Sequence, residues 1–524
     1  MQSRNAKGGG FGYLPVEIFK IGRKFFAFDA GSVLFMEVDR ITHDILQLLR
    51  HEKLSPRELA ARLVRHRPAE VRQACRELEE LQRKGYCKPR ALKRKSPCSQ
   101  EELESALNRR LSGLTVFLTT RCNLACSYCI YGAGRRQHGF PSNETMSWNT
   151  AKNTLDFLDR HSDEAGRIKI EFFGGEPLLA FHLLQECATY WKSIAPSKTE
   201  RTDLVVVTNG TLLRGERLDF LLRNRVHMQI SLDGDAASHD AARRYRGNGR
   251  GSFTDVFDNL VALHGRDPEY LSWYVHLKGV ITWENLELDD GAFYRHPVIA
   301  ALERAGNLQR IVERPHYDLE RDSAFLRCLR KVGDKLLRVR GAQSLPDLLS
   351  ALNERERFFF EWTFADFYNI QALKKIFSQG DEAPFLKSCR VGHGFNAVLP
   401  NGDIAVCAEA TSHVIGNVNE GRWYLDRISE MNGRLYQDWP DCSRCFVGRF
   451  CRLCWQKVPG DGEAWRNGRM RFCSFTREYY LAVFNCMLRV LARNPGLWND
   501  LARAVQKKIN EIRAEQLSSS SHPS

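Results

Sequence analysis

Short runs rich in β-branched and aromatic residues open the chain. PVEIFKI, KFFAFDA and SVLFMEV, within residues 14–39, predict three strands, with Gly31 and Ser32 turning between the last two. The pattern then becomes helical over Thr42 to Arg50. A second helix starts at Ser55, an N-cap before Pro56 with Glu58 completing a capping box, and a third runs from Pro68 to Lys84. Three strands followed by three helices predict a small winged-helix-like unit. Residues 88–112, basic and then acidic, read as a linker with a short helix. From Leu114 strands alternate with helices: strands at 114–120, 168–174, 203–209, 227–233, 273–281 and 308–313, helices such as Trp148 to Arg160 and Phe253 to Leu263. Ser252 and Asp255 look like the start of that last helix. Alternating β and α predicts a parallel sheet with its chemistry at the C-terminal strand ends. Six units suggest an open, partial barrel over a doubly wound sheet, and periodicity alone leaves both open. Residues 319–386 read as a helical bridge, 387–475 as a cysteine-rich domain with little regular structure, and 476–524 as two helices with a disordered tail.

Composition narrows the class. With 43% apolar and 27% charged residues over 524 positions, the chain can build a large core. The first residues, Met1 to Gly12, are polar and glycine-rich, and no run reaches the ~20 apolar residues that span a bilayer. We therefore expect a cytoplasmic protein without a membrane partner. There thiols stay reduced, and clustered cysteines bind metal sooner than they form disulfides. Net charge is +14, which favours anionic partners: nucleic acid, an acidic peptide or an acidic electron-transfer protein. No nucleic-acid module is recognisable, so nucleic acid is not expected.

Sixteen cysteines are the unusual count, and ten fall in two groups. Cys122, Cys126 and Cys129 form C-x3-C-x2-C directly after strand 114–120. Three thiolates at this spacing can hold three irons of a [4Fe–4S] cube and leave the fourth iron open. Zinc, which usually takes four ligands in paired spacing, fits poorly. The segment CNLACSYC resembles the signature of radical S-adenosylmethionine (SAM) enzymes. That resemblance implies that the open iron chelates SAM and that Tyr128 packs near adenine. It extends over residues 114–285. Gly174-Gly175-Glu176-Pro177 looks like the family's motif for the methionine amino group, strand 203–209 runs into Asn209, and strand 227–233 supplies Ser231 and Asp233. Ser231 and Arg243 match the positions that hold the SAM carboxylate.

The second group is Cys389, Cys407, Cys442, Cys445, Cys451, Cys454 and Cys473, with Gly402 between the first two. Two zinc ribbons are one reading. The full order resembles the SPASM domain, departing from it only between Cys451 and Cys454, where two residues intervene and not three. By that resemblance Cys442, Cys445, Cys451 and Cys473 hold one auxiliary [4Fe–4S] cluster. Cys389, Cys407 and Cys454 hold another, whose fourth ligand is not evident. Cysteines 75, 87, 98, 187, 328 and 486 lack such spacing.

Residues 13–87 resemble the PqqD-like precursor-recognition domain of enzymes that modify ribosomally made peptides. The whole chain is similar to radical SAM/SPASM maturases of the sactipeptide, ranthipeptide or quinohemoprotein amine dehydrogenase type: a partial (β/α)6 barrel at 113–318 between an N-terminal winged-helix-like domain and a C-terminal SPASM domain. The resemblance implies SAM and three [4Fe–4S] clusters as cofactors. It implies a precursor peptide or small protein subunit as partner, and flavodoxin or ferredoxin as electron donor. The expected product is a side-chain cross-link, first of all a Cys thioether. The alternatives are a carbon–carbon cyclophane or the formylglycine of anaerobic sulfatase-maturing enzymes. Those enzymes place an Asp base after the cysteine matched by Cys407, where this chain has Ala408 and then Glu409. Otherwise the general base, the precursor and the oligomeric state are not legible. A multi-cluster electron carrier is the non-enzymatic alternative, and it leaves Glu176, Ser231 and Arg243 without a purpose.

Overall fold

The computed structural model describes the chain except residues 1–10, 12–13, 33, 89–98, 133–142, 283–284, 289, 313–318, 340–341, 343, 362, 364–390, 393–395, 437–441, 443–444, 449–450, 452, 459, 498–499 and 501–524. Cys389 and Cys98 lie outside the described residues.

Strands β1 (Val16–Ile21), β2 (Lys24–Asp29) and β3 (Leu34–Val38) form an antiparallel sheet in that order. Helices Arg40–Leu49, Pro56–Arg62 and Pro68–Arg83 follow. Asp39 caps the first, and Ser55 and Glu58 form the expected capping box on the second. The helices close one core over Ala27, Ile45, Leu49, Leu59 and Val71. The opposite side of the sheet packs on the long helix Gly462–Arg493, where Phe484 lies 4.8 Å from Phe28 and 5.0 Å from Phe35 between ring centroids.

The main sheet holds β4 (Gly113–Thr119), β5 (Ile168–Gly174), β6 (Thr202–Thr208), β7 (His227–Ser231), β8 (Val275–Ile281) and β9 (Leu308–Val312), all parallel and in sequence order. A doubly wound sheet would reverse its strand order midway; this one does not, so every crossover turns the same way. Every second residue, such as Ile168, Ile170, Phe172, Val206 and Ile230, is buried among the covering helices. The others, Lys169, Glu171, Gln229, Ser231 and Lys278 among them, line the inner face. Past β4 the sheet continues through β10 (Asn396–Val398), parallel to β4, and the antiparallel β11 (Asp403–Ala405), β12 (Val414–Asn417) and β13 (Arg422–Trp423). The cysteine-rich region thus extends the barrel sheet.

The short helix expected within 88–112 is Gln100–Arg109, and it buries Leu103 and Leu107 in the main core. Three expectations shift. Trp273 and Tyr274 belong to a helix, Pro268–Tyr274, because Pro268 fits its first turn and Asp267 caps it. The boundary expected at 475 falls inside the continuous helix Gly462–Arg493. Ser252 does not cap its helix with its side chain; its hydroxyl donates to the Arg243 carbonyl (3.1 Å).

Candidate active site

The loop after β4 carries the first three cysteines and is tied to residues 242–246 by backbone bonds: Ala125 N–H to Arg244 O (2.8 Å), Ser127 N–H to Ala242 O (3.0 Å) and Arg246 N–H to Asn123 O (2.9 Å). Each such bond fixes part of a loop that has no regular structure of its own. The sulfurs meet N–H donors. Cys122 accepts from Leu124 N–H (3.4 Å) and the Asn209 amide (3.9 Å), and Cys126 from the Arg243 guanidinium (3.9 Å). Burial pushes the Cys122 thiol up to about 12. Donors aimed at sulfur suit thiolates that ligate iron, so this set fits the cluster ligands expected of it. Among the described residues no three His, Cys, Asp or Glu side chains converge to hold a single metal ion.

Gly174 and Gly175 are required by close approach. Gly174 has φ +136°, and a Cβ on either residue would collide with the backbone of Thr119 or Arg121. Glu176, fully buried, turns inward. Its carboxylate accepts from Thr208 Oγ1 (2.8 Å), Leu178 N–H (3.0 Å) and Asn209 N–H (2.8 Å), while burial pushes its pKa up to about 7 against those donors. Glu176 therefore fastens the loop after β5 to the end of β6, and Pro177 opens the short 3-10 turn that Glu176 caps. Asn209 in turn bonds the Asn123 side chain (2.8 Å), linking β6 to the cysteine loop.

Asp233 and Arg243, both buried, form the electrostatic centre. Asp233 accepts from Arg243 Nε (2.8 Å), the Tyr128 hydroxyl (2.5 Å) and Val280 N–H (2.9 Å). Burial alone would raise the Asp233 carboxyl; Arg243, His239 and these bonds outweigh it and hold it below its ordinary value. Arg243 is also stacked 5.2 Å from the Tyr128 ring centre. So Arg243 is no surface charge, but neither is it a free carboxylate clamp: one edge is committed to Asp233. Ser231 sits half-buried on the inner face beside Lys278. Behind Asp233, the fully buried Arg355 donates to the Asp233 carbonyl and to Asp290 (2.8 Å).

His239 gives a pH prediction. Its Nδ1 accepts from Asp233 N–H (3.3 Å), so Nε2 carries the proton and faces Ser252 (2.9 Å). Burial, then Arg243, lowers its pKa to about 4, against 6.5 ordinarily. A base depressed in the native state binds more protons when unfolded. Its contribution is therefore complete above about pH 6.5 and is lost as pH falls toward 4, roughly 3 kcal/mol in all. Urea midpoints measured from pH 7.5 to 5 should fall, and His239→Gln should flatten that slope.

The second cysteine group divides in space. Cys442, Cys445, Cys451 and Cys473 line one cavity of about 510 Å³, with Arg469 donating to the Cys442 sulfur (3.4 Å). Cys407 is apart from them and within electrostatic reach of Cys454 and Glu409; its sulfur accepts the backbone amides of Glu409 and Ala410, and burial pushes its thiol up to about 12. The Tyr131 hydroxyl donates to the Ala408 carbonyl (2.5 Å), joining the first cysteine loop to the Cys407 turn. Sequence reasoning missed Tyr131, His239 and Arg469. Two carried a signal: Tyr131 lies two residues past Cys129, and Arg469 lies one helical turn before Cys473.

Residues 116–280 match the family model of the radical SAM superfamily. The chain is 26% identical to the uncharacterized protein MJ0907 of Methanocaldococcus jannaschii over 271 residues, 51% of this chain and 87% of that protein. It is 30% identical over 235 residues to a Methanocella arvoryzae protein named "Probable GTP 3',8-cyclase", covering 40% of this chain and 67% of that one. It is 30% identical over 149 residues to the serine-type anaerobic sulfatase-maturating enzyme of Bacteroides thetaiotaomicron, covering 28% and 34%. The three-thiol loop, the glycines packed against it and the buried Asp233–Arg243 pair all lie within the matched span, and the chain belongs to the radical SAM superfamily.

Proposed function

We propose that the protein is a peptide maturase that joins side chains of a ribosomally made precursor or small subunit, most simply through a Cys thioether. Cys122, Cys126 and Cys129 would hold a [4Fe–4S] cluster, which together with SAM would supply the radical chemistry for taking hydrogen from an unactivated carbon. Around it, Arg243 and Ser231 orient SAM, Asp233 holds Arg243, Glu176 and Asn209 fix the strand ends, and Tyr128 covers Arg243. The observation that carries the reading is the four-thiol cavity on helix Gly462–Arg493, which fits an auxiliary cluster, on the same helix that packs the N-terminal sheet. An auxiliary cluster can accept the electron that closing a cross-link releases. The PqqD-like sheet, with edges at β1 and β3, would take the precursor's leader as an added strand.

Glu409 beside Tyr131 and Cys407 favours a second reading, formylglycine formation with Glu409 as base. The neighbouring reading frames are the place to seek a short cysteine-bearing precursor, and co-expression with one found there tests both. A product lighter by two hydrogens, with sulfur retained and the cysteine resistant to alkylation, is expected. An aldehyde that reacts with hydrazide would establish the second reading. An unmodified peptide, under conditions where SAM is cleaved, would overturn both for that precursor.

A further inference from the structure

At the N-terminal ends of the barrel strands, the opposite ends from Asn209 and Ser231, lies a cavity of about 490 Å³. That size is within the range of small-molecule sites. Thr202 and His227, the first residues of β6 and β7, line it, and so do Trp273 and Tyr274 just before β8. Trp273 is 69% exposed, so its indole face is not part of a core. The rings of His227 and Tyr274 lie 4.8 Å apart between centroids. Among the charged residues of the lining, Arg167 is committed to Asp203 through two bonds (2.6 and 3.2 Å). Lys192 gives one hydrogen to the Asn224 side chain (2.8 Å), and an ammonium has others to give. Glu200 adds an exposed carboxylate.

Arg225, which also lines the cavity, sits against the backbone rules. It follows helix Glu216–Arg223 in a Schellman motif, with Arg225 N–H bonded to Leu222 O (3.1 Å) and Val226 N–H to Leu221 O (3.0 Å). Its φ is +48°. Glycine or asparagine ordinarily holds that position, because a side chain with a Cβ is unfavourable there. No contact offsets that cost: the guanidinium is exposed and has no ion pair among the described residues. A strained, unpaired arginine beside an exposed indole points to a ligand.

We propose that this cavity binds a mononucleotide, with its base on Trp273 and its phosphate on Arg225 and Lys192. Aromatic faces take any base by stacking, and a guanidinium with an ammonium suits a phosphate. Glu200 can accept from the ribose hydroxyls. The site is separate from the SAM site and does not depend on the maturase reading.

Equilibrium dialysis of labelled adenosine 5′-monophosphate is the test, against the full unreduced chain with excess SAM filling the SAM site. One saturable site is expected, and adenosine should bind it about tenfold more weakly for want of the charge-assisted bonds. Trp273→Ala should weaken both ligands about tenfold, through lost stacking. Arg225→Gly should weaken the monophosphate about tenfold and leave adenosine unchanged. Glycine suits the positive φ, so this variant should keep or raise the denaturant midpoint. No saturable binding, or wild-type affinity in both variants, would overturn the proposal. Weakening in Trp273→Ala alone would overturn it too, since the ligand would then be a neutral aromatic. A lowered midpoint in Arg225→Gly would make the arginine a support for the fold, and would equally overturn it.

Discussion

A chain in which Cys122, Cys126 and Cys129 are all alanine should cleave no SAM at all, and should carry one [4Fe–4S] cluster less than wild type. Thiolate ligation is what holds such a cluster, and the three sulfurs share one loop whose backbone is pinned to residues 242–246. That backbone scaffold does not depend on the sulfurs, so the triple variant should still fold. Because the other thiols lie in separate groups, the remaining iron should be unaffected. Against an expected total of about twelve irons per chain in three clusters, the variant should hold about eight. Iron and sulfide analysis beside a 5′-deoxyadenosine assay checks both halves. Cleavage that survives would remove the site assignment; loss of all iron would mean that the groups do not assemble independently.

The second large effect is expected at Arg243. From spacing alone, Arg243→Ala would cost only the bonds to the SAM carboxylate. In the folded protein it also strands the fully buried Asp233 and takes the cation off Tyr128. Breaking one side of a buried ion pair costs about 3–5 kcal/mol, well above the roughly 1 kcal/mol of a surface pair. Arg243→Ala should therefore destabilise the chain by that amount and weaken SAM binding by about one to two orders of magnitude. Arg243→Lys should recover part of both, because an ammonium can meet Asp233 or the Cys126 sulfur but lacks the planar fork that reaches both. Pairing Arg243→Met with Asp233→Leu separates the two roles. Stability should largely return, since no charge is left buried alone, while SAM affinity stays low. Denaturant midpoints and equilibrium SAM titration are the measurements. Affinity that returns with stability would show that Arg243 acts only as a strut.

What could be read from the chain followed from local signals. The β/α alternation is local, so the six parallel strands were legible from 114 onward, and so were the three cysteines, whose spacing sits on one loop. Strand order was not, because periodicity says nothing of which way a crossover turns. The Asp233–Arg243 pair had both members in view but not their contact, which depends on the chain doubling back after Gly234. Arg355, more than a hundred residues further on, gave no signal at all, since its bond to the Asp233 carbonyl exists only in the tertiary structure. The first turns of helix Gly462–Arg493 were missed for a different reason: they are rich in glycine and arginine and hold Cys473, expected as a cluster ligand, so composition hid a helix start that packing supports.

That helix also bears on how the molecule folds. The N-terminal sheet closes one side with its own three helices, but the aromatic side of β2 and β3 is completed by Phe484, more than four hundred residues away in the chain. Residues 13–87 thus have only half of a core to themselves. Made alone, they would expose Phe28 and Phe35 and be expected to unfold or self-associate. A chain shortened to begin after them would leave Phe484 bare. The two ends of the protein are therefore expected to melt in one cooperative transition, and neither is a detachable module.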